Sequence, residues 1–366
     1  LATLSLMGAL ACEPVGSEPL NEATSTPRVD RRDAPPLPAL ADADVGVALD
    51  EDDGAPAPLG APYPVILVHG FSGWMDFSGI EYFYNVPGDL RAAGADVTAP
   101  NLPPYNGSAE RAEVLALVVD DVLARTNKRK VHLIAHSQGG VDSRLLITEL
   151  GYASKVASLV TISTPHRGTR VADLARAAPR GVLNPAGQLL GWLLGALEGE
   201  PPSEASWLAD EGIADAYDPD LDAAIQMLST ENMAAFNEAH PDPEGVPIFS
   251  VAGVSNLVSL DQPECHGGLW ENSNRVDVVD IFFAGAGLYL NYTDGGGLFS
   301  PTPNDGLVTA ASARWGTFLG CVPADHPDEI GHILDNGNLV SGFDHRRFYL
   351  RLLSLVREVE AATPSP

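Results

Sequence analysis

Basic residues are scarce in this chain. Lysine occurs only at Lys128, Lys130 and Lys155, and Lys plus Arg total 21 against 49 Asp plus Glu, for a net charge of −28. Phosphate contacts need a basic face, so this balance excludes nucleic acid as a partner. It equally excludes docking on an anionic membrane by charge alone. Long hydrophobic runs are missing too, and the apolar stretch Leu1–Ala11 is too short to span a bilayer. Cysteine is limited to Cys12, Cys265 and Cys321, an odd count that leaves one without an intrachain partner. No internal repeat is visible.

What is present is enough for a large fold. With 366 residues, 45% of them hydrophobic, the chain can bury one large α/β core or two ordinary ones. Leu1–Ala11 reads as the surviving end of a secretory signal, with Ala9-Leu10-Ala11 fitting an A-x-A cleavage site. Cys12 follows directly and is the candidate for bacterial lipid attachment. Export implies an oxidising compartment, in which Cys265 and Cys321 pair and Cys12 is the odd one. Residues 13–60, rich in Pro, Ala, Asp and Glu, have no apolar periodicity and read as a disordered acidic tether.

The folded region is expected over 61–366. Tyr63 to Gly70 reads as a buried strand ending in a glycine turn, and Tyr82 to Ala93 as a helix stopped by Gly94. Asp96–Ala99 is a short strand. Helical spacing of Val114, Leu115, Leu117, Val118 and Val122 predicts a helix over 110–125. Strands follow at Val131–Ala135 and Ser158–Ser163. Strands alternating with helices indicate a mainly parallel central sheet with helices on both faces. Residues 169–240 break the alternation with consecutive helical patterns. Within them, Leu189–Leu197 is apolar almost all round, which marks either a core helix or a cap that covers something apolar. The pattern resumes with a strand at Val246–Val251. It ends with a helix whose stripe is Phe348, Leu352, Leu355, Val356 and Val359.

Chemistry enters at Val131-His132-Leu133-Ile134-Ala135-His136-Ser137-Gln138-Gly139-Gly140. A serine hydroxyl attacks only when presented clear of the backbone and relieved of its proton. A strand–serine–helix turn presents it, and small residues two before and two after the serine make the turn possible. Here they are Ala135 and Gly139, the G-x-S-x-G elbow with Ala at its first glycine. An imidazole must take the proton and a carboxylate must orient the imidazole. In the α/β-hydrolase chain order of serine, acid, histidine, Asp305 in Asn304-Asp305-Gly306 is the acid, ahead of Asp280 and Asp294. His326 is the loop base, while His345 opens the terminal helix and is expected on the surface. The N–H groups of Gln138 and Phe71 are the candidate oxyanion donors. His69, His136 and His166 are expected to be structural.

The segments Tyr63–Phe71, Ala135–Gly140, Ser163-Thr164-Pro165-His166-Arg167-Gly168 and Asn304–Val308 occur in one order. In that order the chain resembles the secreted triacylglycerol lipases of Pseudomonas and Burkholderia, over residues 61 to about 355. The resemblance implies an α/β-hydrolase fold with a helical cap or lid at about 169–240, and Ser137, Asp305 and His326 as the triad. It implies Phe71 and Gln138 as oxyanion donors. It further implies one structural calcium, with carboxylates from Asp328 and Asp277 and main-chain carbonyls from His332 and Asn336, Asp280 being the alternative to Asp277. Calcium takes oxygen ligands, so a carbonyl site tolerates histidine where the family usually has glutamine. Many such lipases mature with a dedicated foldase.

The expected activity is hydrolysis of carboxylic esters of acylglycerols at a lipid–water interface. A carboxylesterase acting on short soluble esters is the alternative within that chemistry. A non-catalytic surface-binding protein on a hydrolase scaffold is the alternative outside it, with an acyltransferase further off.

Overall fold

A computed structural model describes residues 62–71, 76–77, 80–177, 220–255, 265, 277, 279, 283–297, 300–332 and 341–362. Six strands form one parallel sheet: β1 (Val65–Val68), β4 (Val97–Thr98), β5 (Val131–His136), β6 (Val156–Ile162), β7 (Ile248–Gly253) and β8 (Thr317–Val322). Their spatial order is β4-β1-β5-β6-β7-β8. Two short strands, β2 (Asp76–Phe77) and β3 (Ile80–Glu81), pair antiparallel outside that sheet.

The β-branched runs form the strands, and period-two alternation sends their side chains to two cores. Val65 and Leu67 of β1 join Ile134, Val160 and Val251 on one face. There they meet Val86 and Leu90 of α1 (Val86–Ala92) and Phe348, Leu352 and Val356 of the last helix, His345–Ala362. Ile66 and Val68 join Leu133, Ala135 and Leu159 on the other face. That face is covered by α2 (Ser108–Thr126) and α3 (Gln138–Thr148) through Val114, Leu115, Val119, Val122 and Leu146. Burying both faces is what a parallel sheet requires.

Three expectations need correction. The helix expected from Tyr82 starts instead at Val86, after Asn85 in the left-handed region (φ 60°). Pro87, which has no N–H to donate, is tolerated only in a first turn, so it sets the start. Leu117 lies on the solvent side of α2 at 58% exposure, because Val119 occupies the buried stripe. His345 is buried and hydrogen-bonds the Tyr84 carbonyl through Nε2 at 3.0 Å, where a surface position was expected. That bond ties the terminal helix to the approach of α1.

Of the 169–240 insertion, three helices are described: α4 (Arg170–Ala177), α5 (Leu221–Met227) and α6 (Thr230–Ala239). Leu189–Leu197 lies outside the described residues, as do residues 1–60 with Cys12. Among the described residues no helix is long and apolar enough to cross a membrane. Cys265 and Cys321 form a disulfide joining the segment after β7 to β8, with Cα atoms 4.9 Å apart.

Candidate active site

All six strands run the same way, so their C-terminal ends share one edge, and the sequence-derived candidates gather there. β5 ends at His136 and α3 begins at Gln138, which leaves Ser137 alone to turn the chain. It does so at φ 55°, ψ −130°, a conformation that non-glycine residues avoid at a cost of about 1–3 kcal/mol. The surroundings hold it there. Ser137 N–H donates to Ile162 O (2.9 Å), and Thr164 Oγ1 donates to Ser137 O (2.8 Å).

Close approach explains the glycines. A Cβ at position 139 would stand 2.5 Å from Val68 O and 2.7 Å from His69 O, and one at position 140 would collide with the Thr164 side chain. At position 70 it would lie 2.6 Å from Ser137 Cβ. Ala135, at the elbow's first small position, is fully buried and paired with Val68 on one side and Thr161 on the other.

The two donor candidates flank this serine. Gln138 is the first residue of α3, so its N–H has no intrahelical acceptor and sits at the positive end of the helix dipole. Its side chain is committed elsewhere, donating from Nε2 to Asn106 O at 3.0 Å. Phe71 follows β1, and its loop is braced from below. The buried Arg111 guanidinium donates to His69 O (2.6 Å), to Pro103 O (2.7 Å) and to Asp142 Oδ2 (2.7 Å). His69 Nε2 accepts from Leu102 N–H at 2.8 Å, so the ring proton is on Nδ1 and donates to Gly70 O at 2.9 Å. Burial, and then the Arg111 charge, lower the His69 pKa to about 3. A neutral, doubly bonded imidazole of this kind is a structural brace, as expected.

Asp305 and His326 meet on the other side. Asp305 Oδ2 lies 2.7 Å from His326 Nδ1. Oδ1 of the same carboxylate accepts from Leu307 N–H (2.8 Å) and Val308 N–H (2.7 Å), which fixes its plane. His326 N–H donates to Asp305 O at 2.9 Å, so the two residues are held by main chain and side chain together. His326 lies in the loop after β8, the last strand among the described residues. Asp305 reaches the edge from a long excursion after β7, and Ser255 N–H donating to Asn304 O (2.8 Å) brings that excursion back to the strand end. The rival Asp294 is engaged with Arg170 at 3.1 Å, on the surface. Asp280 lies outside the described residues.

The three histidines beside turn motifs sort by contact. His166 stacks on Trp315 (5.3 Å between ring centroids) and its Nε2 lies 3.0 Å from Thr161 Oγ1. Burial, then Arg144 and Arg167, hold its pKa well below the usual value. His136 touches the candidate base, with ring centroids 4.4 Å apart. Burial first, and then the His326 imidazole, depress the His136 pKa well below the usual value.

Asp277, Asp325 and Asp328 form a buried group whose nearest carboxylate oxygens all lie within 4.8 Å of one another. Two of these were expected ligands, Asp277 and Asp328. Asp325 was missed; beyond joining the cluster, its Oδ1 accepts from Asp328 N–H at 3.0 Å. Three carboxylates brought so close and taken out of water repel unless protons or a cation compensate them. Their all-oxygen donor set fits a hard cation such as calcium. His332 is described, with its ring nitrogen Nε2 2.8 Å from Tyr82 O; Asn336 lies outside the described residues. Glu329, fully buried between His136 and Ser163, also escaped sequence reasoning, since no local pattern marks it.

Comparison with known proteins gives the family and the fold. The model of the alpha/beta hydrolase fold matches residues 63–198. A triacylglycerol lipase of Vibrio cholerae serotype O1 is 32% identical over 280 residues, spanning 74% of this chain and 80% of that one. One of Burkholderia plantarii is 28% identical over 309 residues, spanning 74% and 80%. In fold, the chain is similar to Staphylococcus hyicus lipase, with a TM-score of 0.54 at 19% identity over 84% of this chain and 99% of that one.

Proposed function

The chain belongs to the α/β-hydrolase family of triacylglycerol lipases, and on that premise we propose that it hydrolyses acylglycerol esters through an acyl-serine intermediate on Ser137. The observation that carries the reading is the Asp305–His326 pair, 2.7 Å apart, on the same sheet edge as a serine held at φ 55°. Ser137 Oγ attacks the ester carbonyl while His326 takes its proton, and Asp305 keeps the imidazole in the tautomer that can accept it. Negative charge on the carbonyl oxygen is met by the N–H groups of Phe71 and Gln138. His326 then protonates the leaving alkoxide, and the reverse sequence with water releases the fatty acid. The experiment is a chain-length series of synthetic esters, with and without an oil–water interface, on wild type and Ser137→Ala. Turnover that rises at the interface and vanishes in Ser137→Ala supports the lipase reading. Turnover confined to short dissolved esters makes it a carboxylesterase.

A structural calcium belongs to the same proposal, held by Asp277 and Asp328 with Asp325 beside them, and by the main-chain carbonyls of His332 and Asn336. The three buried carboxylates support it. When bound, the ion supplies charge compensation and stiffens the loop that carries His326. Chelation is expected to lower thermal stability and activity together, and Asp328→Ala to make further chelation harmless. An unchanged melting temperature in chelator, with no calcium found by metal analysis, removes the site.

Export is proposed from the Leu1–Ala11 reading and supported by the Cys265–Cys321 disulfide, a bond that persists in oxidising compartments. Lipid attachment at Cys12, a lid at Leu189–Leu197 and maturation by a lipase-specific foldase complete the proposal.

A further inference from the structure

Six segments that the fold brings to the catalytic edge are joined beneath it by one line of buried hydrogen bonds. Gly70 N–H donates to the Tyr82 hydroxyl at 3.1 Å. That hydroxyl lies 2.8 Å from His136 Nδ1, and His136 Nε2 lies 3.0 Å from Glu329 Oε2. Ser163 Oγ donates to Glu329 Oε1 at 2.5 Å and accepts from Gly253 N–H at 2.9 Å. All four side chains are buried. With Glu329 ionised, the protons run one way: Tyr82 donates to His136, and the Nε2–H tautomer of His136 donates to Glu329. With Glu329 protonated, the His136 tautomer reverses and the same heavy atoms stay joined.

The two ends of this line are informative. Gly70 precedes Phe71, the proposed oxyanion donor, and the space for a Cβ at Gly70 is bounded by Ser137 Cβ at 2.6 Å and Tyr82 Oη at 3.0 Å. Glu329 lies in the one-turn helix Asp328–Ile330, immediately after the loop that holds His326. The base and the oxyanion donor come from opposite ends of the folded region, and neither contacts the other in sequence. We infer that Tyr82, His136 and Glu329 are positioning residues that set the distance between the oxyanion donor and the base, with the Tyr82 hydroxyl as the joint. The inference rests on the hydrolase reading above. None of the three touches substrate in that reading. Their effect passes through Gly70 on one side and through the His326 loop on the other.

Tyr82→Phe is the direct test, because it removes the joint and keeps the ring that packs against His69, Phe83 and His136. A displacement on the order of 1 Å in catalytic geometry costs about 100-fold in rate. The expected result with a soluble short ester is therefore a fall in kcat of roughly 10- to 100-fold, with KM within about twofold of wild type. Phosphonylation of Ser137, which needs both the base and the oxyanion donors, should slow by a similar factor. Glu329→Gln keeps a donor and an acceptor in place and is expected to retain most turnover, whereas Glu329→Ala should behave like Tyr82→Phe. The double variant Tyr82→Phe/Glu329→Ala should lose little more than either single, since both break one line.

Unchanged kcat and phosphonylation in Tyr82→Phe, or a loss confined to KM or to melting temperature, overturns the inference. If Tyr82→Phe does not accumulate folded, Glu329→Ala in the same assays decides by the same criteria. Ser137→Ala run alongside separates the two levels. Turnover that survives in Ser137→Ala sinks the acyl-serine reading of Ser137 on which the inference rests, whereas turnover lost there but intact in Tyr82→Phe sinks only the positioning network.

Discussion

Ser137 and His326 stand on one edge of one sheet, yet different forces hold them. Around Ser137 close main-chain packing leads, with Gly139 against the carbonyls of Val68 and His69 and Ser137 N–H on Ile162 O, and the Thr164 hydroxyl on Ser137 O adds to it. Around His326 side chains drawn from far apart lead, with Asp305 on one ring nitrogen and the His136 ring 4.4 Å away, and one main-chain bond to Asp305 O supports them. The first arrangement tolerates no added atoms. The second fails when a charge or a proton is misplaced. Strain at the nucleophile is thus balanced by packing, and alignment of the base by hydrogen bonds.

The largest effect should come from the side-chain half. Asp305→Asn keeps the shape of the carboxylate but favours the wrong imidazole tautomer, and turnover should fall by up to ~10⁴-fold with the fold intact. A steady-state assay on a soluble ester, with circular dichroism as control, checks this. If Asp280→Asn produced the loss and Asp305→Asn did not, the acid would be misassigned.

The main-chain half should break differently. Gly139→Ala forces a methyl group to within 2.5 Å of Val68 O, which belongs to the central sheet and cannot yield cheaply. A loss of about 1–3 kcal/mol in unfolding free energy is expected by denaturant titration, with activity falling in parallel. Wild-type stability in that variant would mean that the elbow is looser than these contacts imply.

A smaller and more diffuse effect follows from the buried histidines, which crowd the nucleophile half. His69, with its pKa at about 3, stays neutral in the folded protein while the unfolded chain takes up a proton near pH 6.5. Its contribution is therefore fully present above about pH 6.5 and lost as pH falls from there toward about 3. His136 and His166, both held well below the usual value, act in the same direction. His69 adds up to ~1.4 kcal/mol per pH unit to the slope of unfolding free energy over that window. Urea midpoints in high salt, which screens the acidic surface, should fall between about pH 7 and about pH 4.5. His69→Gln should flatten that slope, and an equal slope in both proteins would show that His69 does not titrate on unfolding.

The same division explains what could be read from residues alone. The elbow, the β1 loop and the alternating strands are local patterns, and local patterns survive in sequence. Chain order sufficed to bring Asp305 and His326 together because the fold fixes that order. Asp325 and Glu329 were overlooked because each looks like an ordinary acidic loop residue, and only tertiary contact buries it. Tyr82 read as the start of a helix because its apolar neighbours matched the period, while its hydroxyl is used by Gly70 and His136. His345 read as surface because it opens an amphipathic helix, and the Tyr84 carbonyl that claims it is distant in sequence.

The nucleophile is where the two halves must work as one, and covalent labelling interrogates it directly. A fluorophosphonate mixed with the wild-type protein should add one label per chain, located on Ser137 by peptide mass spectrometry, with ester hydrolysis lost in proportion. Ser137→Ala should take up no label and hydrolyse no ester while remaining folded. Labelling at another residue, or hydrolysis that persists in Ser137→Ala, would contradict the assignment.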